Sequence, residues 1–337
     1  MSSEMLDYVA AFCIALLTSL GVTPVARRLA LRFSIVDAPT ERKLHVDPVP
    51  YLGGVAIVIA FVVTLTFGAF VRGVSGSHVR IAVILGGGLL LAIVGLVDDL
   101  KVVPGWVKVP LELLLGGALF ASGIRAELFG IPALDLAITL AWVIGITNAV
   151  NYMDNMDGLS AGVASIAAIY FGVLAGLSGQ FLVASLSFAL AGCALGFLWH
   201  NRAPAKIFMG DAGSLFLGFL LAALGLELSF DNIARVTFFV PVAIMAVPIL
   251  DALMVSISRV KSGLSPIHPG KDHTSHRLVA LGIPSSAAVS LIHFAAITSG
   301  WIGVVIAFSR PLTAYMLMAW VVVVATFMGA LLLRVKI

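Results

Sequence analysis

The sequence predicts an all-α, polytopic integral membrane protein of about eleven transmembrane helices, and three observations carry that prediction. Apolar residues make up 61% of the 337 and charged residues only 11%, with a mean hydropathy of +1.11, well outside the composition of a soluble domain. Runs near twenty apolar residues recur along the whole chain, each long enough as a helix to cross the ~30 Å of bilayer hydrocarbon. The basic residues gather on alternate connections, the mark of cytoplasmic loops.

Taken in order, the first span is 8–26. The stretch before it, "MSSEMLDYVAAFC", lacks a positive n-region, and Arg27 and Arg28 follow, so the span reads as an uncleaved anchor with its N-terminus outside. Spans at 52–71 and 80–97 come next, the latter closed by Asp98 and Asp99. The fourth, 107–122, has Lys108 at its entrance. Spans five and six, 134–152 and 159–177, are joined by a polar stretch with an Asp157-Gly158 turn. The remaining five are 181–199, 212–228, 235–257, 286–308 and 312–333, with Asp251 inside the ninth.

Charge fixes the orientation. Connections after odd-numbered spans hold Arg27, Arg28, Arg32, Arg42, Lys43, Lys101, Lys108, Arg202, Lys206, Arg259, Lys261, Lys271, Arg277, Arg334 and Lys336. The other side has Arg72, Arg80, Arg125, Arg235 and Arg310. The basic side, and with it the C-terminus, is expected to be cytoplasmic. Of the carboxylates, only Glu4, Asp7, Glu127, Asp135, Glu227 and Asp231 belong to the outer face. The sequence pI near 9.0 follows from the loops and argues for anionic headgroups, not nucleic acid. Cys13 and Cys193 both lie in apolar spans and read as packing residues. No repeat or soluble module interrupts the chain, so one transmembrane domain, 1–337, is expected, with functional loops at about 27–51, 98–107, 148–158, 200–211 and 259–285.

Polar chemistry collects in those loops. "NAVNYMDNMDGLSAG" would, if helical, set Asn148, Asn151 and Asn155 on one stripe, with Asp154 and Asp157 on its flank. Helix caps account for one or two such residues, hardly five. Asp98 and Asp99 are an acidic pair at a membrane boundary, where unpartnered carboxylates cost ~2.5–3.5 kcal/mol. Such a pair suits a divalent cation, a cationic group or a base with a raised pKa. Lys108 is a counter-ion or a phosphate contact. In "HNRAPAKIFMGDAGSLFLGF", the "GDAGS" run resembles a phosphate nest at a helix N-terminus, and Asp211 beside it is a Mg²⁺ ligand or a helix cap. Lys271, His273, His276 and Arg277 in "SGLSPIHPGKDHTSHRLVALG" suit an anion better than zinc. Lys43 and His45 in "ERKLHVDPVPYLGG" are substrate contacts or part of a stop-transfer cluster.

In this order, "RKLHVDPVPYLGG", "LVDD", "NAVNYMDNMDGLSAG", "HNRAPAKIFMGDAGSLFLG", "PILDALMVSISR" and "DHTSHRL" resemble the polyprenyl-phosphate N-acetylhexosamine-1-phosphate transferases, from about Asp37 to Leu281. The resemblance implies transfer of a sugar 1-phosphate from a UDP-sugar to undecaprenyl phosphate, releasing UMP, with Mg²⁺ or in its place Mn²⁺, at the cytoplasmic face of the inner (plasma) membrane. It implies Asn151 and Asp211 as metal ligands, and Asp98, Asp99 and Asp154 as catalytic carboxylates. Phe208, Asp157, Asn148 and Asn201 would form the nucleotide pocket. Lys108, Lys43, His45, Lys271, His273, His276 and Arg277 would contact phosphates and sugar. The lipid bilayer is a further partner, and a homodimer is left open. The chain departs from the family pattern at Asn155 (usually glycine), Glu112 (commonly glutamine) and Ser275 (often histidine). Because the triple histidine of the phospho-N-acetylmuramoyl-pentapeptide branch is absent, UDP-N-acetylglucosamine is the expected donor. The pentapeptide transferase and, from a different class, a transporter are the alternatives.

Overall fold

The computed structural model describes residues 3–37, 49–73, 77–230, 232–265 and 270–335. They form thirteen helices: α1 (Ser3–Arg32), α2 (Gly53–Arg72), α3 (His78–Leu100), α4 (Gly105–Ala121), α5 (Pro132–Tyr152), α6 (Leu159–Leu177), α7 (Phe181–Asn201), α8 (Gly210–Glu227), α9 (Ala234–Ile244), α10 (Ala246–Lys261), α11 (Thr274–Ala280), α12 (Ser285–Ala307) and α13 (Pro311–Leu332). Two short strands, β1 (Val36–Asp37) and β2 (Val49–Pro50), pair antiparallel after α1. The predicted all-α architecture is therefore what the chain adopts. Helices satisfy their own backbone donors and acceptors, which a bilayer interior demands.

Among the described residues, nine helices are long and apolar enough to cross a membrane, or ten with the pair α9 and α10 counted as one span. Two of the eleven expected spans account for the difference. α4 has only 17 residues, at the short end for a crossing. The ninth, expected as one straight helix over 235–257, is broken at Met245, and its halves meet at 75°. Pro248, third residue of α10, has no N–H to give the Ile244 carbonyl, and its ring crowds that oxygen. Hydropathy counts apolar residues and is blind to such a turn.

The centre of the molecule is α8, buried at every residue from Ala212 to Leu226, as a helix apolar all round must be. α2, α3 and α5 pack on it. Gly95 of α3 lets the two backbones touch: a Cβ there would stand 2.4 Å from the Asp211 carbonyl. That approach carries the end of α3, with Asp98 and Asp99, onto the start of α8. Outside, Phe70, Phe294, Trp301, Leu312, Val323 and Phe327 are exposed, large apolar side chains suited to contact with lipid. The strand pair and the bonds Phe208 N–H to Pro50 O (2.9 Å), Gly53 N–H to Phe208 O (3.0 Å) and Gly54 N–H to Met209 O (2.8 Å) seat the entrance of α2 against the residues preceding α8.

Candidate active site

Four helix ends meet in a charged cluster. Lys108 Nζ on α4 lies 2.6 Å from Asp98 Oδ2 at the end of α3 and 3.0 Å from Asp211 Oδ2 in the first turn of α8. Asn151 Nδ2, in the last turn of α5, donates to Asp211 Oδ1 (2.9 Å) and to Ser214 Oγ (2.8 Å). Asp98 also accepts from the Val103 amide. Asp99 is turned differently: its two oxygens accept from the Asp211 amide (2.8 Å) and the Ala212 amide (3.2 Å). It caps the N-terminus of α8, where a carboxylate meets both the unpaired N–H groups and the positive end of the dipole. Gly210 makes room for it, with φ +71° and a site where any Cβ would strike the Asp99 carboxylate at 2.5 Å.

This corrects three expectations. The "GDAGS" nest does not present these amides to a phosphate; Asp99 occupies them. Asp211 is not the cap, since the N-cap position is Met209 and Asp211 is the capped residue. Nor is the asparagine stripe continuous, because α5 stops at Tyr152 and leaves Asn155 in a turn.

That turn forms one wall of a cleft of about 680 Å³, lined by Tyr51, Asp154, Asn155, Asp157, Asn201, Phe208, Lys271 and His276 among others. Asp157 and Asn201 are partly engaged in building it: Asp157 Oδ2 accepts from the Ala205 amide (2.8 Å), Asn201 Oδ1 from the Gly158 amide (2.9 Å), and Asn201 Nδ2 donates to Ile207 O (3.0 Å). Phe208 and Tyr51 set aromatic rings 6.1 Å apart at the wall. Asp154 links cleft and cluster. Burial, then the nearby Asp211 and Asp99 charges, push its carboxyl up to about 8, against a backbone hydrogen bond from Gly210. His276 moves the other way, to about 4, through burial and then the neighbouring His273 and Lys271.

Three expected ligands face elsewhere. Asn148 donates to Glu112 Oε2 (2.6 Å) and Ile144 O (2.9 Å). His273, 5% exposed, sets Nδ1 2.9 Å from Asp251 Oδ2, and the Thr274 amide donates to the other Asp251 oxygen. Arg277, 3% exposed, donates to Asp272 O, Leu332 O and Val335 O (3.0 Å each) and to Ser258 Oγ (2.9 Å). It pins α11 to the end of α13 instead of lining the cleft. Asp251 does not pair with Arg259, which takes Asp272 at 2.9 and 3.0 Å. Lys43 and His45 lie outside the described residues.

The sequence model of glycosyl transferase family 4 matches residues 81–229, the segment that carries the whole acidic cluster. A Bacillus subtilis relative named "Probable undecaprenyl-phosphate N-acetylglucosaminyl 1-phosphate transferase" is 33% identical over 302 residues, covering 87% of this chain and 83% of its own. The chain belongs to glycosyl transferase family 4. Further relatives of this family 4 protein are the decaprenyl-phosphate N-acetylglucosaminephosphotransferase of Mycolicibacterium smegmatis, 35% identical over 86% of this chain and 78% of the relative, and the undecaprenyl-phosphate alpha-N-acetylglucosaminyl 1-phosphate transferase of Escherichia coli K12, 27% identical over 85% and 80%.

The donor set of this family 4 site suits a hard divalent cation. Asp98 and Asp211 share one ammonium, Lys108, with the Asp99 and Asp154 carboxyl groups close by, so among the described residues the cluster has more carboxyl groups than cationic partners. Asn151 spends its amide nitrogen on Asp211 and Ser214, which leaves Oδ1 as the atom such a cation would take. No three His, Cys, Asp or Glu side chains among the described residues form a metal cage. Mg²⁺ does not require one, because it binds through one or two carboxylates plus water and substrate phosphates. Glu112 was noted in the sequence only as a departure, yet it is wholly buried beside Asn148, and its Oε1 has no partner among the described residues. Its position one turn after Lys108 in an apolar helix was the available signal.

Proposed function

We propose that this multi-pass membrane protein transfers N-acetylglucosamine 1-phosphate from UDP-N-acetylglucosamine to undecaprenyl phosphate, releasing UMP, at the cytoplasmic face of the plasma membrane. The observation that carries the reading is the meeting of Asp98, Lys108, Asn151 and Asp211 beside a polar, aromatic-edged cleft at one set of helix ends. An interfacial enzyme needs this, because its donor is water-soluble and its acceptor phosphate sits at the bilayer surface. A transporter would instead place its polar groups near the midplane.

Asp98 is our choice of base in the acidic pair, since it lies beside Lys108, where the phosphates would gather, while Asp99 is turned onto the α8 amides. It takes the last proton of the acceptor phosphate, whose oxyanion attacks the β-phosphorus of the donor. The bond between the β-phosphorus and the bridging oxygen breaks, UMP leaves with that oxygen, and a new diphosphate joins sugar and lipid. Lys108 offers positive charge to the phosphates, and Phe208 and Tyr51 give the uracil an aromatic wall. Asn151 and Asp211 would hold Mg²⁺, which supplies neutralisation of the diphosphate charge. A covalent aspartyl route through Asp211 is disfavoured because that carboxylate is held by Lys108 and Asn151.

The test supplies purified protein with undecaprenyl phosphate, Mg²⁺ and either UDP-N-acetylglucosamine or UDP-N-acetylmuramoyl-pentapeptide, and measures UMP. Release with the first donor alone is expected. Faster turnover of the pentapeptide donor would overturn the choice of sugar, and no release with any UDP-sugar would overturn the reading.

A further inference from the structure

Two departures from the family pattern, Asn155 and Ser275, lie 120 residues apart in sequence and touch. Asn155 Nδ2 sits 2.6 Å from the Tyr152 carbonyl, which can only accept, so the amide's orientation is fixed and Oδ1 points the other way. Ser275 Oγ lies 2.6 Å from that Oδ1 and 3.4 Å from His276 Nδ1. A serine hydroxyl has one proton. The much shorter contact claims it, so Ser275 donates to Asn155 and turns its lone pairs toward His276. A bare Nδ1 there would face lone pair to lone pair; a protonated Nδ1 completes the chain.

We infer that the Tyr152–Asn155–Ser275 relay fixes His276 as the Nδ1–H tautomer, so that its Nε2 meets the cleft as a hydrogen-bond acceptor that selects the O–H or N–H groups of the donor sugar. The inference deepens the transferase reading and rests on it for the identity of the ligand. Ser275 is 1% exposed, so water does not compete for its hydroxyl, while Asn155 and His276 both line the cleft. Burial and the adjacent His273 and Lys271 keep the ring neutral at pH 7. A neutral acceptor repels phosphate oxygens, and a sugar hydroxyl or an acetamido N–H is what it can bind. Of the donor-loop groups expected to serve phosphates and sugar alike, His276 is thereby assigned to the sugar and Lys271 is left for the phosphates.

The direct test is ¹⁵N NMR of the full-length protein in nanodiscs with labelled histidine, where the two ring nitrogens report the tautomer and His276→Gln assigns the signal. Wild type and Ser275→Thr should show Nδ1–H; Ser275→Ala and Asn155→Gly should lose that preference. In parallel, Ser275→Ala should raise the KM for UDP-N-acetylglucosamine by about five- to tenfold, the factor of one neutral hydrogen bond, with a smaller effect on kcat. Its affinity for UDP, which has both phosphates and no sugar, should be unchanged. An Nε2–H tautomer in the wild type, or equal losses for UDP and for the sugar nucleotide, would overturn the relay. A wild type that turns over no donor yet shows the Nδ1–H tautomer would sink the transferase reading alone.

Discussion

Asp98 and Asp99 are adjacent in sequence and separate in role, because one ends beside Lys108 and the other beneath α8. Asp99→Asn removes the charge from a helix cap, an interaction of ~0.5–2 kcal/mol, so the variant should melt lower while keeping part of its turnover. Asp98→Asn should leave melting nearly unchanged and lower kcat by about 10²–10⁴, the range of a lost general base. Thermal unfolding and UMP release on both variants decide it, and the reverse pattern would exchange the roles. The sequence made the pair visible as costly at a membrane boundary, but not this division, since the partner amides of Asp99 lie more than a hundred residues downstream. Asp154 carries a pH prediction. Its folded carboxyl titrates near 8 against an ordinary 3.8, so the folded state holds the proton more tightly. That contribution to stability is complete below about pH 4 and lost as pH rises through 8. In EDTA, the melting temperature of wild type should fall over this window relative to Asp154→Asn; parallel curves would contradict the raised carboxyl.

Elements were legible where they are apolar and long, and less so where they bend or dock. The eleven apolar runs each coincide with a helix or helix pair, because composition alone decides what a bilayer accepts. The break between α9 and α10 turns on where Pro248 falls, and the docking of α11 on α13 depends on carbonyls some 55 residues from Arg277. That arginine looked like a phosphate ligand and is a tether. Arg277→Ala should lower the melting temperature by several degrees, in line with the ~1–3 kcal/mol of unsatisfied buried groups. A true phosphate ligand would leave melting alone and weaken UDP binding. The tie between α4 and α5 makes a complementary case. Glu112→Gln keeps an acceptor for Asn148 and replaces a buried ionisable carboxyl with a neutral amide, so it should melt at or above wild type. Glu112→Ala strands Asn148 and opens a cavity, so it should melt lower.

At the scale of the whole molecule, the acidic ends of α3 and α8, the amide-bearing end of α5 and the basic end of α4 share one end of the bundle, and the charge of the connections expects that end inside the cell. Single cysteines at Ser3 and Ser262 in a cysteine-free background should react with an impermeant thiol reagent on intact cells at Ser3 only; labelling confined to Ser262 would invert the topology. An expectation of sidedness was readable from the sequence, because lysines and arginines are counted without knowing any contact. Convergence on α8 was not, since it depends on Gly95 and Gly210 allowing backbones to meet. The central claim is that this convergence performs phosphoryl transfer to a lipid, and the most direct measurement follows the phosphorus itself. UDP-N-acetylglucosamine labelled with ³²P in the β-phosphate is given to purified protein with undecaprenyl phosphate and Mg²⁺, and the lipid is extracted and counted. Wild type should move the label into the lipid, and Asp211→Asn, still folded, should move less than about a thousandth as much, as should wild type in EDTA. Label entering the lipid at the wild-type rate in Asp211→Asn, or none entering in wild type, would contradict the account.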